Sequence, residues 1–275
     1  MNDVASIPPF SVLMVTHSGD QVAHLQAALQ SLREQTLQPE ETVLVCAGPL
    51  SNAHKTAIGG YDGALNVKRV DLWRNRPLGF SLNTGLREVS HEWVARMDAD
   101  DICHPERFEK QFGFLEKNPG VSVLGSHVAE FTDDHNNPLR TRRVPLRHND
   151  ISKSAFLRTP FNHMSVVYRK SAVHRVGGYR MIEGFEDFDL WTRMLVAGTK
   201  MANLPEPLVW ARIGNGFHQR RGGWKYARSE YFALRTANRI NKSNPWAVRL
   251  SMPFRFLMRL APASAREKIY ALVRR

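Results

Sequence analysis

The chain has 275 residues, 43% of them apolar and 23% charged, and a formal net charge of +12 at neutral pH. That is enough apolar material for one large domain, or one domain with an appendage, and no low-complexity tract argues for disorder. No window approaches eighteen uncharged apolar residues, and "MNDVASIPPFSVLMVTHSGD" has no basic region ahead of a long apolar core, so neither a transmembrane helix nor a cleaved signal is expected.

Strand and helix signals alternate through the first part of the chain. "FSVLMVT" (Phe10 to Thr16) is a short apolar run suited to a buried parallel strand, and Asp20 then caps a helix whose apolar positions are Val22, Leu25, Leu29 and Leu32. "TVLVCAG" (Thr42 to Gly48), "LNVKRVDL" (Leu65 to Leu72) and "EWVARMD" (Glu92 to Asp98) read as three further strands. This order predicts an α/β layered domain with a largely parallel sheet, whose ligands bind at the carboxyl ends of the strands. Cys46 and Cys103 have no CxxC spacing and are expected as buried, reduced thiols.

His104-Pro105-Glu106 opens another helix, with Pro105 in its first turn and Phe108, Phe112 and Leu115 on one face. "VSVLGSHVAEF" (Val121 to Phe131) alternates like a strand, Thr132 to Asn149 reads as a polar, mobile loop, and "HMSVVYR" (His163 to Arg169) as a strand. After the turn "GGYR", the segment "EDFDLWTRMLVAG" is a helix with Leu190, Trp191, Met194 and Leu195 inward. The mixed strands mark a second subregion after the parallel half. No internal repeat is present.

The tail holds all of the excess charge: Arg220 to Arg275 contains fourteen Lys and Arg against Glu230 and Glu267. Trp246, Leu250, Phe254, Phe256, Leu257 and Leu260 are interleaved with the arginines. The pattern predicts one or two basic amphipathic helices, interrupted at Pro253 and Pro262, that lie in an anionic headgroup layer or pack on the main domain with their arginines in water.

"VARMDADD" (Val94 to Asp101) gathers Asp98, Asp100 and Asp101 directly after the fourth strand. Two carboxylates one residue apart on a tight turn can share a hard divalent cation completed by waters and substrate phosphates, and without one they repel each other. A calcium loop would use Asp98, Asp100 and Glu109 as its positions one, three and twelve, but Ile102 stands where a ligand is needed and Cys103 where glycine makes the turn. The remaining alternative is that the acids cap the following helix.

With its flanks, "WVARMDADD…P.RFEKQ…LE.NPGVSVLGS" resembles the DXD motif of the family 2 glycosyltransferases of the GT-A fold. "SVLMVTHSGD…L..AL.SL.EQT", "RNRPLGFSLNTGL" and "GGYR…EDFDLW" extend the resemblance in order over about Phe10 to Arg212. The subgroup it looks most like is the amylovoran-type exopolysaccharide and O-antigen transferases of bacteria, through "GFHQRRGGWKYARSE". The resemblance implies a Rossmann-like, mostly parallel sheet with a mixed second half. The catalytic domain would span 1–219, its nucleotide-sugar half about 10–120 and its acceptor half about 121–219, and a basic helical extension would span 220–275.

Carried over residue by residue, the resemblance makes Asp98 and Asp100 the DXD pair. Asp100 would be the firmer ligand to Mn2+ or Mg2+, and Asp98 would serve metal or ribose. Thr16 and His17 match the segment lining the nucleoside pocket. Asn75, Gly79 and Asn83 match the segment beside the nucleotide, although "PLGFSLNTG" also reads as a glycine turn opening a helix. Glu186-Asp187 matches the ED motif: Asp187 is the expected base that takes the acceptor's proton, and Glu186 orients that base or the acceptor. Acidic residues also simply favour a helix N-terminus, the reading preferred for Asp189. His163 and His218 are further candidates for phosphate, and His218 for the metal, with structural or solvated histidines as the alternative. Arg220 and Arg221 suit a diphosphate or belong to the basic tail. One departure is Ala47, which stands where the family places an Asp that hydrogen-bonds the base.

The implied function is an inverting, metal-dependent transfer from a nucleotide sugar to a saccharide hydroxyl, the acceptor carried on a polyprenyl diphosphate. It would take place at the inner face of a bacterial cytoplasmic membrane during surface-polysaccharide assembly. A nucleotide-sugar hydrolase or binding protein is an alternative. Nucleic-acid binding would explain the tail's charge but neither acidic cluster, so no nucleic-acid partner is expected.

Overall fold

The computed structural model describes residues 7–155, 158–214, 223–240 and 245–261. His218, Arg220, Arg221 and Pro262 lie outside them.

The first half follows the expected alternation: β1 (Phe10–Thr16), α1 (Val22–Arg33), β2 (Glu41–Cys46), α2 (Asn52–Gly59), α3 (Asp62–Leu65), β3 (Val67–Asp71), α4 (Leu78–Glu88) and β4 (Trp93–Asp98). There follow β5 (Ile102–Cys103), α5 (Arg107–Lys117), β6 (Val123–Phe131), β7 (Arg140–Arg142), α6 (His148–Ser154), β8 (Val167–Arg169) and α7 (Lys170–Arg175). Last come α8 (Glu186–Val196), β9 (Met201–Arg212), α9 (Trp224–Ile240) and α10 (Pro245–Leu260). Among the described residues these strands form one sheet in the order β3-β2-β1-β4-β8-β6-β9-β5, with β7 on β6. The β3-β2-β1-β4 half is parallel, and β8 joins β4 and β6 antiparallel.

Strand periodicity divides the core. Phe10, Val12 and Met14 point to one face and pack with Leu25, Leu29 and Leu32 of α1 and with Phe108, Phe112 and Leu115 of α5. Leu13, Val43 and Val45 point to the other, against Leu82 and Leu86 of α4 and Leu190, Trp191 and Met194 of α8. Both faces are covered, which is why β1 and β2 read as continuous apolar runs. Cys46 and Cys103 are buried and free, and burial pushes the Cys46 thiol up to about 12.

Several local expectations change. Asp20 does not cap α1: Gln21 holds the cap position without a side-chain bond, because the Asp20 carboxylate turns back to accept from Thr16 Oγ1 and His17 N, both at 2.9 Å. Leu65 closes the short helix α3 instead of opening β3. The polar stretch after Phe131 contains β7 and the start of α6, and His163–Ser165 is a 3-10 turn ahead of β8. Pro253 lies inside α10 and does not interrupt it. An interior proline costs about 3 kcal/mol; here Met252 packs on the α8–α9 contact, and Arg255 and Arg259 both pair with the buried Glu230 of α9. Helix α9 in turn lays Ala233, Leu234 and Ala237 on Phe188 of α8. The extension is therefore built onto the main domain, with Leu250, Phe254 and Leu257 turned outward.

Candidate functional site

Parallel register brings four strand ends to one edge: Thr16 pairs with Cys46, Cys46 with Asp71, and Val15 with Asp98. At this edge Thr16 is buried and bonded to Asp20, while His17 is exposed, its Nε2 3.5 Å from Asp20 Oδ1. Asn75 is exposed on the loop between β3 and α4. Ala47 is buried, and its N–H is taken by Thr16 O at 2.7 Å.

The centre of the site is a residue the sequence reading passed over. Arg96 shares its sheet face with Val94 and Asp98, because side chains two apart on a strand point the same way, and that face lies under α8. Its guanidinium is 1% exposed and donates through Nη2 to Asp98 Oδ1, while Nε and Nη1 have no hydrogen-bond partner among the described residues. Burial works against both charges, yet the pair wins: Asp98 is held below the usual carboxylate range by Arg96, and Arg96 is held protonated by Asp98. A lone arginine in an otherwise apolar parallel strand, "EWVARMD", was the signal available.

Asp100 is exposed past the turn; partial burial and the charges of Asp98 and Asp20 push its carboxyl up to about 6. Asp101 is buried: Oδ1 accepts from Arg212 N at 2.8 Å, Oδ2 has no partner among the described residues, and burial with Asp98 and Asp100 raises it well above normal. Asp101 thus ties the turn to β9, a structural task that its position in the motif did not reveal. His163 donates to or accepts from Tyr179 Oη at 3.0 Å; burial and Arg96 lower it to about 3, so the imidazole is neutral.

Glu186 and Asp187 form the first turn of α8, across from Asp98 and Arg96. Glu186 is buried and pushed up to about 7 by burial and by Asp187, against the pull of Arg96. Arg96 therefore lies in the field of both acidic groups, one on β4 and one on α8. Asp187 is half-buried, with Oδ1 accepting from Phe188 N at 2.7 Å and Oδ2 from Thr159 Oγ1 at 3.4 Å. Asp189 is fully buried and pairs with Arg193 at 2.7 Å; Arg193 Nη2 also donates to Gly178 O.

The same turn is clamped from the other side by Asn83, whose Nδ2 donates to Tyr179 O at 2.7 Å and whose Oδ1 accepts from Tyr179 N at 2.8 Å. Gly178, at φ +70°, could carry no side chain, since a Cβ would stand 2.6 Å from Asn83 Oδ1. A Cβ on Gly79 would meet Arg180 O at 2.9 Å. Gly79 and Asn83 thus act here on the protein's own chain: they seat the 178–180 turn on α4 and so fix the start of α8.

Among the described residues no group of three His, Cys, Asp or Glu is arranged to hold a metal ion, and His218 is not among them. Asp98 and Asp100 supply two carboxylates, and the raised Asp100 shows repulsion that a cation would relieve. This fits a hard divalent ion completed by waters and donor phosphates.

The profile of Glycosyl transferase family 2 matches residues 11–182. The chain belongs to glycosyltransferase family 2. Two curated relatives of this glycosyltransferase match it nearly end to end. Amylovoran biosynthesis glycosyltransferase AmsE of Erwinia amylovora is 39% identical over 95% of this chain and 97% of its own length. The UDP-Gal:alpha-D-GlcNAc-diphosphoundecaprenol beta-1,3-galactosyltransferase of Escherichia coli is 36% identical over 97% and 96%. Among solved structures, the transferase superposes on S. aureus TarS 1-349 in complex with UDP-GlcNAc with a TM-score of 0.65 at 17% identity, over 83% of this chain and 66% of that one; it spans 44% of the longer TarS chain. It superposes on mannosyltransferase PcManGT of Pyrobaculum calidifontis, in complex with GDP-Man and Mn2+, with a TM-score of 0.62 at 18% identity, over 98% and 81%. The fold is GT-A, as the motif order implied. Among the described residues no helix is long and apolar enough to cross a membrane.

Proposed function

We propose that this enzyme is an inverting transferase. It moves a sugar from a nucleoside-diphosphate donor to a hydroxyl of a saccharide carried on a lipid diphosphate, in bacterial surface-polysaccharide assembly at the inner face of the cytoplasmic membrane. The observation that carries the reading is Arg96, which pairs with Asp98 at the end of β4 and whose charge also acts on Glu186, the neighbour of Asp187 at the start of α8. The amylovoran role of the Erwinia relative and the diphosphoundecaprenol acceptor of the E. coli relative support the substrate classes, and the outward apolar side chains of α10 support membrane contact.

In this mechanism the donor's diphosphate meets Asp100 and Asp98 at the strand edge, with His17 and Asn75 beside the nucleoside. Asp98 and Asp100 would hold a Mn2+ or Mg2+ ion there, which would supply positive charge to the departing diphosphate. Asp187 takes the proton from the acceptor hydroxyl as its oxygen bonds the anomeric carbon, and the bond from that carbon to the phosphate oxygen breaks with its electron pair leaving on the nucleoside diphosphate. Glu186, raised to about 7 by burial and by Asp187, takes up a proton as pH falls through that value and so limits the negative charge beside Asp187. Buried Arg96 stabilises Asp98 as an anion.

The test is transfer from a panel of nucleotide sugars to a synthetic N-acetylglucosaminyl diphospholipid, with NMR of the product's anomeric centre. Inversion from an α-linked donor is expected; retention, or hydrolysis without transfer, would end the proposal.

A further inference from the structure

Between the loop that precedes α8 and helix α9 lies a cavity of about 600 Å³ whose wall carries Arg180, Lys225, Arg228 and Arg235, with Met181 and Phe232. Among the described residues, two of the four cations have a carboxylate partner: Lys225 meets Glu183 at 2.5 Å, and Arg180 reaches the buried Asp189 at 3.5 Å. The cavity remains strongly positive, and guanidinium groups are the side chains best suited to phosphate oxygens.

A second cavity, about 700 Å³, opens between α9 and α10 and is lined by Tyr231, Met252, Pro253, Phe256 and Leu257. Arg235 lies on the wall of both. Each volume suits a small ligand. Beyond the second cavity the apolar surface continues along α10 through Leu250, Phe254 and Leu257, which are 76%, 63% and 66% exposed. Apolar surface of this kind, next to a basic hollow, matches a ligand with a polyanionic head and a hydrocarbon chain.

We infer that the two cavities form one site for a lipid diphosphate, with the phosphates in the first, the first units of the chain in the second, and Arg235 at the junction. The inference rests on the lipid-linked acceptor proposed above and adds where the carrier is held. Arg180 to Ile182 lie on the loop that leads into Glu186 and Asp187, so a diphosphate seated there presents its saccharide to the candidate base. Helix α10 then serves as the surface along which the rest of the chain runs toward the bilayer.

Calorimetry on the full chain with farnesyl diphosphate, inorganic pyrophosphate and farnesol reads both parts. Farnesyl diphosphate is expected to bind at least about tenfold more tightly than either fragment, a difference of about 1.4 kcal/mol. The double substitution Arg228→Ala with Arg235→Ala should weaken farnesyl diphosphate and pyrophosphate by about tenfold or more, and Leu257→Asp should weaken farnesyl diphosphate alone. All three positions are exposed, and unchanged binding of a nucleoside diphosphate confirms folding of the variants. Equal affinity for farnesol, or farnesyl diphosphate binding that survives the double substitution, overturns the site. Displacement of farnesyl diphosphate by phosphatidylglycerol vesicles assigns the cavities to bilayer headgroups and also overturns it.

Transfer assays separate this site from the reading beneath it. A preference for lipid-linked over lipid-free acceptor that persists in the double variant with unchanged KM refutes the site and leaves the acceptor class standing. A wild-type enzyme with no such preference refutes both.

Discussion

Arg96 Nη2 donates to Asp98 Oδ1 from a position that is 1% exposed, with Glu186 in reach of the same charge. Removing one partner of a buried ion pair leaves the other uncompensated, at a cost of about 3 kcal/mol or more. Arg96→Met should lower stability by about 3 kcal/mol, the low end because Asp98 keeps some contact with water, and should weaken donor binding. Denaturant midpoints and calorimetry check it, and an unchanged midpoint would remove Arg96 from the centre of the site.

Asp100→Asn keeps the shape of an exposed side chain but removes one carboxylate of the pair. Binding of UDP in the presence of Mn2+ should fall by about tenfold or more, to the level found with chelator, while the melting temperature of the free protein holds or rises as repulsion from Asp98 and Asp20 disappears. Unchanged Mn2+-dependent affinity would count against the metal role.

Asp187→Asn should lower transfer by about a hundredfold to ten-thousandfold, the range of general-base contributions, with donor affinity retained. Turnover near that of the wild type would move the base elsewhere.

The raised pKa of Glu186 makes a statement about stability and pH. A carboxyl whose folded value is about 7 against an ordinary 4.5 binds a proton in the folded state that the unfolded chain has released. Stability from this group is therefore full below about 4.5 and is lost as pH rises toward 7. Asp187 on its own helix opposes its ionisation, and Arg96 on β4 favours it. Glu186→Gln should thus stabilise the free protein more at pH 8 than at pH 5, read as the difference in melting temperature from wild type. An equal difference at both pH values would refute the assignment.

The parts of the molecule that sequence reveals are those fixed by local periodicity. The runs Phe10 to Thr16 and Trp93 to Asp98 announce buried strands, and the position of Asp98 and Asp100 at a strand exit follows from them. What remains hidden depends on contacts distant along the chain. Asp20 reads as a helix cap but turns to Thr16, and the bond from Asn83 to Tyr179, far along the sequence, has no local signal. Strand β9 carries Pro205 and Pro207, which disguise it, and its pairing with β6, broken by bulges, and with β5 makes it a strand. Pro253 fails as a helix breaker because Glu230, on another helix, holds both arginines that follow it.

Asp101 fastens Arg212, the last residue of β9, to the aspartate turn, and Arg212 in return caps Asp100 O through Nε at 3.1 Å. The chain is thus stapled at the point where the sheet ends and the helical extension has yet to begin. That staple marks a natural seam for protein engineering. A chimera joined just after Arg212 would inherit Asp98, Asp100, Glu186 and Asp187 and could receive another transferase's carrier-side helices, provided the incoming α9 kept small residues at Ala233 and Ala237 to dock on Phe188.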